Sequence, residues 1–269
     1  MASQPFNADM LRVMRVTLLP AGPVSFALML TLLAPSGIAA PAQPAAIPDA
    51  ARYRACLNMR GLNPSAALGD AEAWIRSGGG LPAEHCAALS LVGLKRYGEA
   101  GTRLARLAAA KDVPGTAFRV ELFSQAGNAW LLAGDGGRAA QNFTSAVALS
   151  PGDADLFADL ARAHAMRRNW TETVASLNAA LNLQPRRADL LVLRASARRA
   201  LKRYADAHAD LAAALKLKPG DGGALLERGL LRKQLGDLNG ARRDFQAAVK
   251  AAPGSDVAAT AQDNLESLD

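Results

Sequence analysis

Four prolines in the second half of the chain stand at a constant interval. Pro151, Pro185, Pro219 and Pro253 follow one another at steps of 34 residues. Because proline makes up about 5% of residues in average proteins, three further prolines at one fixed offset have a chance of roughly 1 in 10,000. The interval therefore indicates a structural repeat, in which each residue is interpreted by its place in a 34-residue unit.

Other residue types recur at the same step. One column holds small residues and another holds large apolar residues: Gly127, Ala161, Ala195 and Gly229, and Phe123, Phe157, Leu191 and Leu225. Small residues let two helices approach, and large apolar neighbours fill the grooves between them. Within a unit, apolar residues such as Leu211, Ala214 and Leu215 have helical spacing. Since proline cannot continue a helix, each unit is predicted to be two helices, the second ending near the proline.

A helix–turn–helix unit of this length and pattern resembles the tetratricopeptide repeat. The resemblance covers four units: 120–153, 154–187, 188–221 and 222–255. It implies an all-α fold, a right-handed superhelical solenoid with an irregular helical segment before it. The eleventh position, usually aromatic, holds Trp130 but then His164, Arg198 and Arg232. There we expect weaker packing, or arginine stems that lie over apolar neighbours.

The residues around the four units are also predicted to be helical. Upstream, in the segment 41–119, Lys95-Arg96-Tyr97 aligns with Lys202-Arg203-Tyr204 and marks a degenerate unit. Helices are expected from Ala50 to Met59 and from Pro64 to Ser77, the second one ended by three glycines. Residues 256–269 are expected to form a polar capping helix, because the last unit would otherwise expose an apolar face.

The first forty residues predict an export signal. Arg12 and Arg15 precede an apolar stretch from Val16 to Ala34, of which only Val24 to Ala34 is uninterrupted by proline or glycine. Eleven residues are too few to span a bilayer and suit a signal-peptide core. An uncleaved membrane anchor is the alternative, because the whole stretch has 19 residues. We expect a periplasmic or exported protein with no integral membrane domain after cleavage, and the bacterial assignment rests on resemblance to exported repeat proteins rich in Ala and Arg.

Export would place the two cysteines in an oxidising compartment. An even count there suggests a disulfide between Cys56 and Cys86, and two buried, unlinked thiols are the alternative. His85 stands beside Cys86, but adjacent helical residues point about 100° apart and no second Cys/His pair exists. We therefore expect a packed cysteine and an exposed histidine here, with no metal site.

Nothing in the sequence indicates catalysis. The histidines are far apart in the chain, and no nucleophile elbow or phosphate-binding loop occurs. One possible function is that of an enzyme with a helical repeat domain. However, the residues outside the signal and the repeats are few for a catalytic domain. We expect no enzyme activity and no cofactor. The formal charge of +7 favours anionic partners, among which export makes nucleic acid the least expected.

Function is therefore expected from a surface. The resemblance implies a concave groove lined by the first helix of each unit, where partners lie as extended peptides or helices. The predicted partner-binding residues combine cations with apolar side chains: Asn128, Arg162, Met166, Val192, Arg199, Leu226, Leu230 and Lys233. Asp155 and Asp189 are expected near one edge. A protein or peptide with acidic and apolar residues would suit this groove, because arginine pairs well with carboxylates. Alternatively, these charges pair with neighbours on the protein itself. The sequence sets no oligomeric state.

A second basic cluster suggests an alternative function, that of an envelope accessory factor which binds an anionic polymer or lipid surface. It consists of arginines from the middle units: Arg167, Arg168, Arg186, Arg187, Arg198 and Arg203. Such a cluster could bind an anionic lipid or an anionic envelope polymer. Alternatively, the arginines only solubilise the surface.

Overall fold

The structure is a computed structural model that describes residues 50–268, and this part of the chain contains thirteen α-helices and no strand. The helices, in chain order, are α1 (Ala50–Leu62), α2 (Pro64–Arg76), α3 (Gly80–Gly93), α4 (Tyr97–Ala109), α5 (Thr116–Leu132), α6 (Gly136–Leu149), α7 (Ala154–Met166), α8 (Trp170–Leu183), α9 (Ala188–Ala200), α10 (Tyr204–Leu217), α11 (Gly222–Gln234), α12 (Leu238–Ala251) and α13 (Asp256–Glu266). The predicted signal at residues 1–40 lies outside the described residues.

The helices form a stack of hairpins in which each helix packs against the next one along the chain. Pro151, Pro185, Pro219 and Pro253 each stand two residues after the last residue of α6, α8, α10 and α12. The repeated prolines therefore mark the end of the second helix of four hairpins, as the sequence predicts. Within residues 50–268, none of the helices has the length and apolarity required to cross a bilayer.

The repeated small residues control how closely the two helices of a hairpin approach. A Cβ atom added to Gly127 would lie 2.7 Å from the Phe143 ring, and one added to Gly229 would lie 2.5 Å from the Phe245 ring. In the two hairpins between them, alanine and leucine take these places: Ala161 with Leu177, and Ala195 with Leu211. Each hairpin thus combines a small residue on one helix with a side chain of matching volume on the other.

Aspartates that follow the repeated prolines cap the next helix in two of the turns. Asp153 accepts hydrogen bonds from the backbone of Asp155 and Leu156, and Asp221 accepts one from Ala224. The helix α9 has Arg187 at its N-cap and no side-chain cap.

The hairpin α3–α4 continues the same stack towards the N-terminus. The turn between its helices contains Lys95 at a left-handed φ of 60°, and equivalent left-handed residues occur at the turns of the four later hairpins. Before it, α1 and α2 pack on each other and on α3. The expected helices at 50–59 and 64–77 are present as α1 and α2, with slightly different ends. Cys56 of α1 and Cys86 of α3 lie at disulfide distance, with their Cα atoms 6.3 Å apart.

The eleventh position of the last two full hairpins carries an ion cluster rather than an aromatic ring. Arg194 and Arg198 of α9 both donate to the carboxylate of Asp210 on α10. The next hairpin repeats the arrangement 34 residues later, with Arg228, Arg232 and Asp244. The sequence expectation of arginine stems over apolar neighbours missed these partners, because it did not consider which residue of the second helix faces position eleven.

Candidate functional site

The eight predicted partner-binding residues all lie on the first helices of successive hairpins. Asn128 is on α5, Arg162 and Met166 are on α7, Val192 and Arg199 are on α9, and Leu226, Leu230 and Lys233 are on α11. We refer to these eight residues as the groove face. Seven of them are partly exposed, whereas Leu226 is buried in the core beside Phe245. Leu226 therefore supports the groove face from below more than it offers a surface to a ligand.

The apolar members of the groove face are extensions of the core. Met166 packs against the core cluster that contains Trp130 and Phe143. Val192 and Leu230 pack against the clusters of the following hairpins. Their partial exposure leaves an apolar strip that a partner can cover, on a backbone that the core holds in place.

Both groove arginines already have acidic partners. Arg162 donates to Asp159, one turn earlier on α7, and both side chains are largely buried. Burial raises the pKa of Asp159 above its usual value, although Arg162 opposes this rise. Arg199 donates from Nε to Glu227 of the next hairpin at 3.2 Å. An acidic ligand would therefore compete with these two carboxylates for the arginines.

Lys233 differs from the two arginines in the nature of its partners. Its Nζ atom donates to Asn264 Oδ1 at 3.2 Å and to Ser267 Oγ at 2.5 Å, both at the C-terminal end of the stack, where α13 caps it. Neutral oxygens leave the ammonium charge uncompensated at this contact. Of the three predicted groove cations, Lys233 is thus the one best placed to attract a carboxylate.

A single arginine pairs with both aspartates of the predicted acidic edge. Arg187 donates to Asp155 at 2.9 Å and forms two hydrogen bonds, at 2.9 and 2.8 Å, with Asp189. Partial burial opposes ionisation of Asp189, but the hydrogen bonds and charge of Arg187 together with backbone N–H donors outweigh it and hold the pKa of Asp189 below its ordinary value. The edge joins two hairpins rather than presenting free carboxylates.

The second basic cluster is divided among different places. Arg187 pairs with the acidic edge, Arg198 with the buried Asp210, and Arg203 with Asp206. Arg186 lies in the turn before α9, while Arg167 and Arg168 lie at the turn between α7 and α8. The structure therefore does not gather these six arginines into one continuous patch.

A chain of polar side chains joins the first helices of the three N-terminal hairpins. Tyr53 on α1 donates to His85 Nδ1, and His85 Nε2 donates to Gln125 Oε1 of α5 at 2.7 Å, which fixes the tautomer. Gln125 then donates to Glu121 at 2.9 Å. Burial lowers the pKa of His85 and raises the pKa of Tyr53 to about 12.

The expectation of an exposed histidine was wrong, because His85 is only 3% exposed. Tyr53 covers the ring from α1, and Phe118 packs edge-on against it at 5.4 Å between ring centroids. These neighbours are distant in sequence, so the residues next to His85 gave no sign of them. Among residues 50–268, no group of three potential ligands is arranged to hold a metal ion.

Comparisons with known proteins identify the fold. No family model matches the sequence, and no curated protein is similar to it. Among solved structures, MamA from Desulfovibrio magneticus RS-1 is similar with a TM-score of 0.55 and 17% identity over 62% of this chain and 92% of MamA.

Two further structures give the same result. TTC0263, a TPR protein of Thermus thermophilus, has a TM-score of 0.53 and 20% identity, covering 69% of this chain and 96% of its own. YrrB, a TPR protein, has a TM-score of 0.53 and 16% identity, covering 68% of this chain and 91% of its own. Together with the stacked hairpins and their 34-residue step, these similarities show that the chain has the fold of tetratricopeptide-repeat proteins.

Proposed function

We propose that the protein is a non-catalytic scaffold that binds another protein, or a peptide segment of it, on the groove face. The observation that carries this proposal is the arrangement of the first helices: α5, α7, α9 and α11 follow one another in the stack and present partly exposed polar and apolar side chains. YrrB, which has a similar fold, is described as having an unusual peptide-binding site. This description supports the same class of function here.

The contacts within the groove face indicate the chemistry of the partner. Met166, Val192 and Leu230 favour apolar side chains at three successive hairpins. An acidic side chain is best accommodated beside Lys233, because Arg162 and Arg199 are held by acidic neighbours. We therefore infer a ligand that is mainly apolar, with acidic character near the α11 end of the groove.

The proposed location is the periplasm or another exported space. This proposal rests on the sequence of residues 1–40, and the cysteine pair at disulfide distance supports it because structural disulfides persist in oxidising compartments. Fractionation of cells that express the full chain would test it. Recovery of the mature protein in the cytoplasmic fraction would contradict export.

Crosslinking in the native compartment should identify the partner, and its affinity can then be measured against variants. We expect Lys233→Ala to weaken binding about tenfold, in line with loss of one charge-assisted contact of about 1.5 kcal/mol. Val192→Ala and Leu230→Ala should each have a smaller effect, and Lys216→Ala, an exposed lysine on α10, serves as the charge control.

A double variant, Arg162→Ala with Arg199→Ala, tests whether the partner binds on the groove face or elsewhere on the surface. Its binding should also weaken, because both side chains belong to the groove face. Unchanged affinity in this variant and in Lys233→Ala, with the fold intact by circular dichroism, would place the partner elsewhere.

A further inference from the structure

The first and last helices of the described stack carry opposite charges. The helix α1 contains no acidic residue and three arginines: Arg52, Arg54 and Arg60. The helix α13 contains no lysine or arginine and three acidic residues: Asp256, Asp263 and Glu266. Because α1 packs on α2 and α3, and α13 packs on α11 and α12, the two helices lie at opposite ends of the stack. The stack therefore has a basic end, formed by α1, and an acidic end, formed by α13.

The charges of these two helices have no ion-pair partners within the described part of the chain. Among residues 50–268, no acid pairs with the three arginines of α1 and no cation pairs with the three carboxylates of α13. Arg52 instead lies over the ring of Trp74, 5.0 Å from its centroid. By contrast, arginines of the interior helices α9 and α11 pair with acids. The charges at the two ends are therefore available to another molecule.

The same charges are placed unfavourably for their own helices. Arg52 is in the first turn of α1, which contains no acid. Asp263 and Glu266 are in the last turn of α13, which contains no basic residue. Since a helix carries partial positive charge at its N-terminus and partial negative charge at its C-terminus, each helix would be more stable with the opposite charge in that turn. Stabilisation of the single helices therefore does not account for this arrangement.

The most exposed apolar side chains lie in the terminal hairpins as well. Leu62, the last residue of α1, is 90% exposed. Leu235 and Leu238, in the turn between α11 and α12, are 56% and 51% exposed. Every other large apolar side chain among residues 50–268 is at most 43% exposed. Exposed apolar side chains grouped with charges of one sign are typical of surfaces that bind another protein.

The turn between α11 and α12 adjoins the C-terminal end of α13. Lys233, near the end of α11, donates to Ser267, which directly follows Glu266. Arg242, in α12, donates to the backbone oxygen of Leu268 at 3.4 Å. The acidic end thus combines the carboxylates of α13 with two exposed leucines, as the basic end combines arginines with Leu62.

We propose that the acidic end of one copy docks on the basic end of the next copy, so that the protein assembles head to tail. The occupant is identified by complementarity, because the two ends of one chain carry three charges each, of opposite sign, beside exposed leucines. Docking would give each terminal helix the counter-charge that its own chain does not supply.

The assembly is not limited to two copies. Because two different surfaces meet, the interface is heterologous, and the copies form a ring or an open chain rather than a two-fold dimer. It also does not depend on the groove function, since it uses α1 and α13, and the groove face lies on α5, α7, α9 and α11.

Reversal of the charges at each end tests the proposal. Arg52→Glu with Arg54→Glu makes the basic end acidic, and Asp263→Lys with Glu266→Lys makes the acidic end basic. We refer to these as the two end variants. Each should weaken self-association by about a hundredfold or more, because like charges would then face each other.

The end variants should remain folded, and a control accounts for net charge. In the terminal turns, the new charges have the sign that the helix dipole favours, which offsets the loss of the contact between Arg52 and Trp74. Their thermal midpoints should therefore stay close to that of the wild type. The control, Lys111→Glu with Lys216→Glu, changes the net charge as the first end variant does, at two exposed positions away from the ends. It should change self-association by less than about tenfold.

Sedimentation velocity over a range of concentrations measures the association. The protein is used in the form recovered from expressing cells, so that all variants share the same N-terminus. The wild type should form species larger than a dimer as its concentration rises, and salt should weaken this association.

Two combinations should restore the association. In an equimolar mixture of the two end variants, one has two acidic ends and the other has two basic ends, so each can bind the other. A single chain with all four substitutions again has ends of opposite charge. Both should associate within about tenfold of the wild type, whereas damage to the fold would not be rescued.

Three results would overturn the proposal. The first is a wild type that remains monomeric at every concentration. The second is an end variant that associates as strongly as the wild type, which would indicate another surface. The third is a mixture of folded end variants that does not associate, which would show that these two ends do not meet. The proposed groove function would be unaffected by any of them.

Discussion

Replacing Asp210 by alanine tests whether the repeated ion clusters stabilise the hairpins. The Asp210 side chain is 5% exposed, and it accepts three hydrogen bonds of 3.0, 2.7 and 2.6 Å from Arg194 and Arg198. Its loss would leave two cations, 17% and 14% exposed, without their buried counter-ion. Removal of one member of a buried pair typically costs about 3–5 kcal/mol. Because the guanidinium groups retain some contact with water, we expect about 3 kcal/mol, at the lower end of this range.

The equivalent cluster in the next hairpin should lose less stability when its aspartate is removed. Asp244 is 4% exposed, but Arg228 and Arg232 are 27% and 30% exposed. These arginines can be rehydrated more easily once the carboxylate is gone. Asp244→Ala should therefore cost less, about 2 kcal/mol on the same scale. Asp206→Ala serves as the surface control, because its pair with Arg203 is about half exposed and should contribute less than about 1 kcal/mol.

Urea denaturation followed by circular dichroism measures these differences. Thermal unfolding gives a second measurement, in which about 3 kcal/mol corresponds to a decrease of roughly 6–12 °C in the midpoint for a chain of this size. Repeat arrays can unfold in stages, so the midpoints are compared only where the transitions keep the same slope.

A triple variant tests whether the loss of stability comes from an unpaired buried charge or from the loss of the ion-pair contacts themselves. Arg194→Leu, Arg198→His and Asp210→Ser together install the residues that α7–α8 has at these positions, namely Leu160, His164 and Ser176. Its free energy of unfolding should be within about 1.5 kcal/mol of the wild-type value, because well-packed replacements of buried ion clusters are often neutral. Equal effects of Asp210→Ala and Asp206→Ala, or a larger cost for Asp244→Ala than for Asp210→Ala, would refute this reasoning.

Three further predictions concern the core and the N-terminal hairpins. Gly127→Ala should destabilise the protein by about 1–3 kcal/mol, because the new Cβ meets the Phe143 ring, and adding Phe143→Leu should recover part of the loss in a urea titration. The depressed pKa of His85 means that the unfolded chain binds a proton below about pH 6.5 while the folded chain does not, so stability should fall as the pH decreases from there. His85→Gln should flatten that slope in unfolding measured from about pH 7 to pH 5, and an unchanged slope would exclude His85 as its source. Cys56→Ser should cost about 3–4 kcal/mol under oxidising conditions and nothing under a dithiol reductant, since a bond between Cys56 and Cys86 would close a loop with a separation of 30 residues.

The sequence predicted the features of the fold that depend on one hairpin at a time. The proline step gave the helix ends, and Lys95-Arg96-Tyr97 located the turn of α3–α4. The ion clusters were visible in the same periodicity, because Asp210 and Asp244 recur at the repeat step, but identifying them required knowing which residue of the second helix faces position eleven.

Features that depend on contacts between hairpins could not be read in this way. Arg199 meets Glu227 only because α9 and α11 lie side by side, and Lys233 reaches Asn264 only because α13 caps the stack. His85 is buried by residues 32 and 40 positions away. The eight predicted groove residues lie on the first helices of successive hairpins, while the pairing of their charges depended on the geometry between the hairpins.

The ion clusters have a consequence for how an array of this kind changes length. In both clusters the arginines come from the first helix and the aspartate comes from the second helix of one hairpin. Insertion or excision of a whole 34-residue segment therefore carries cation and anion together and leaves no orphan charge in the interior. An insertion or deletion of another length between Arg198 and Asp210 would separate them. Growth by copying complete units is thus the route that the interior of this molecule tolerates, and α9–α10 and α11–α12, with matching clusters, have the form of such copies.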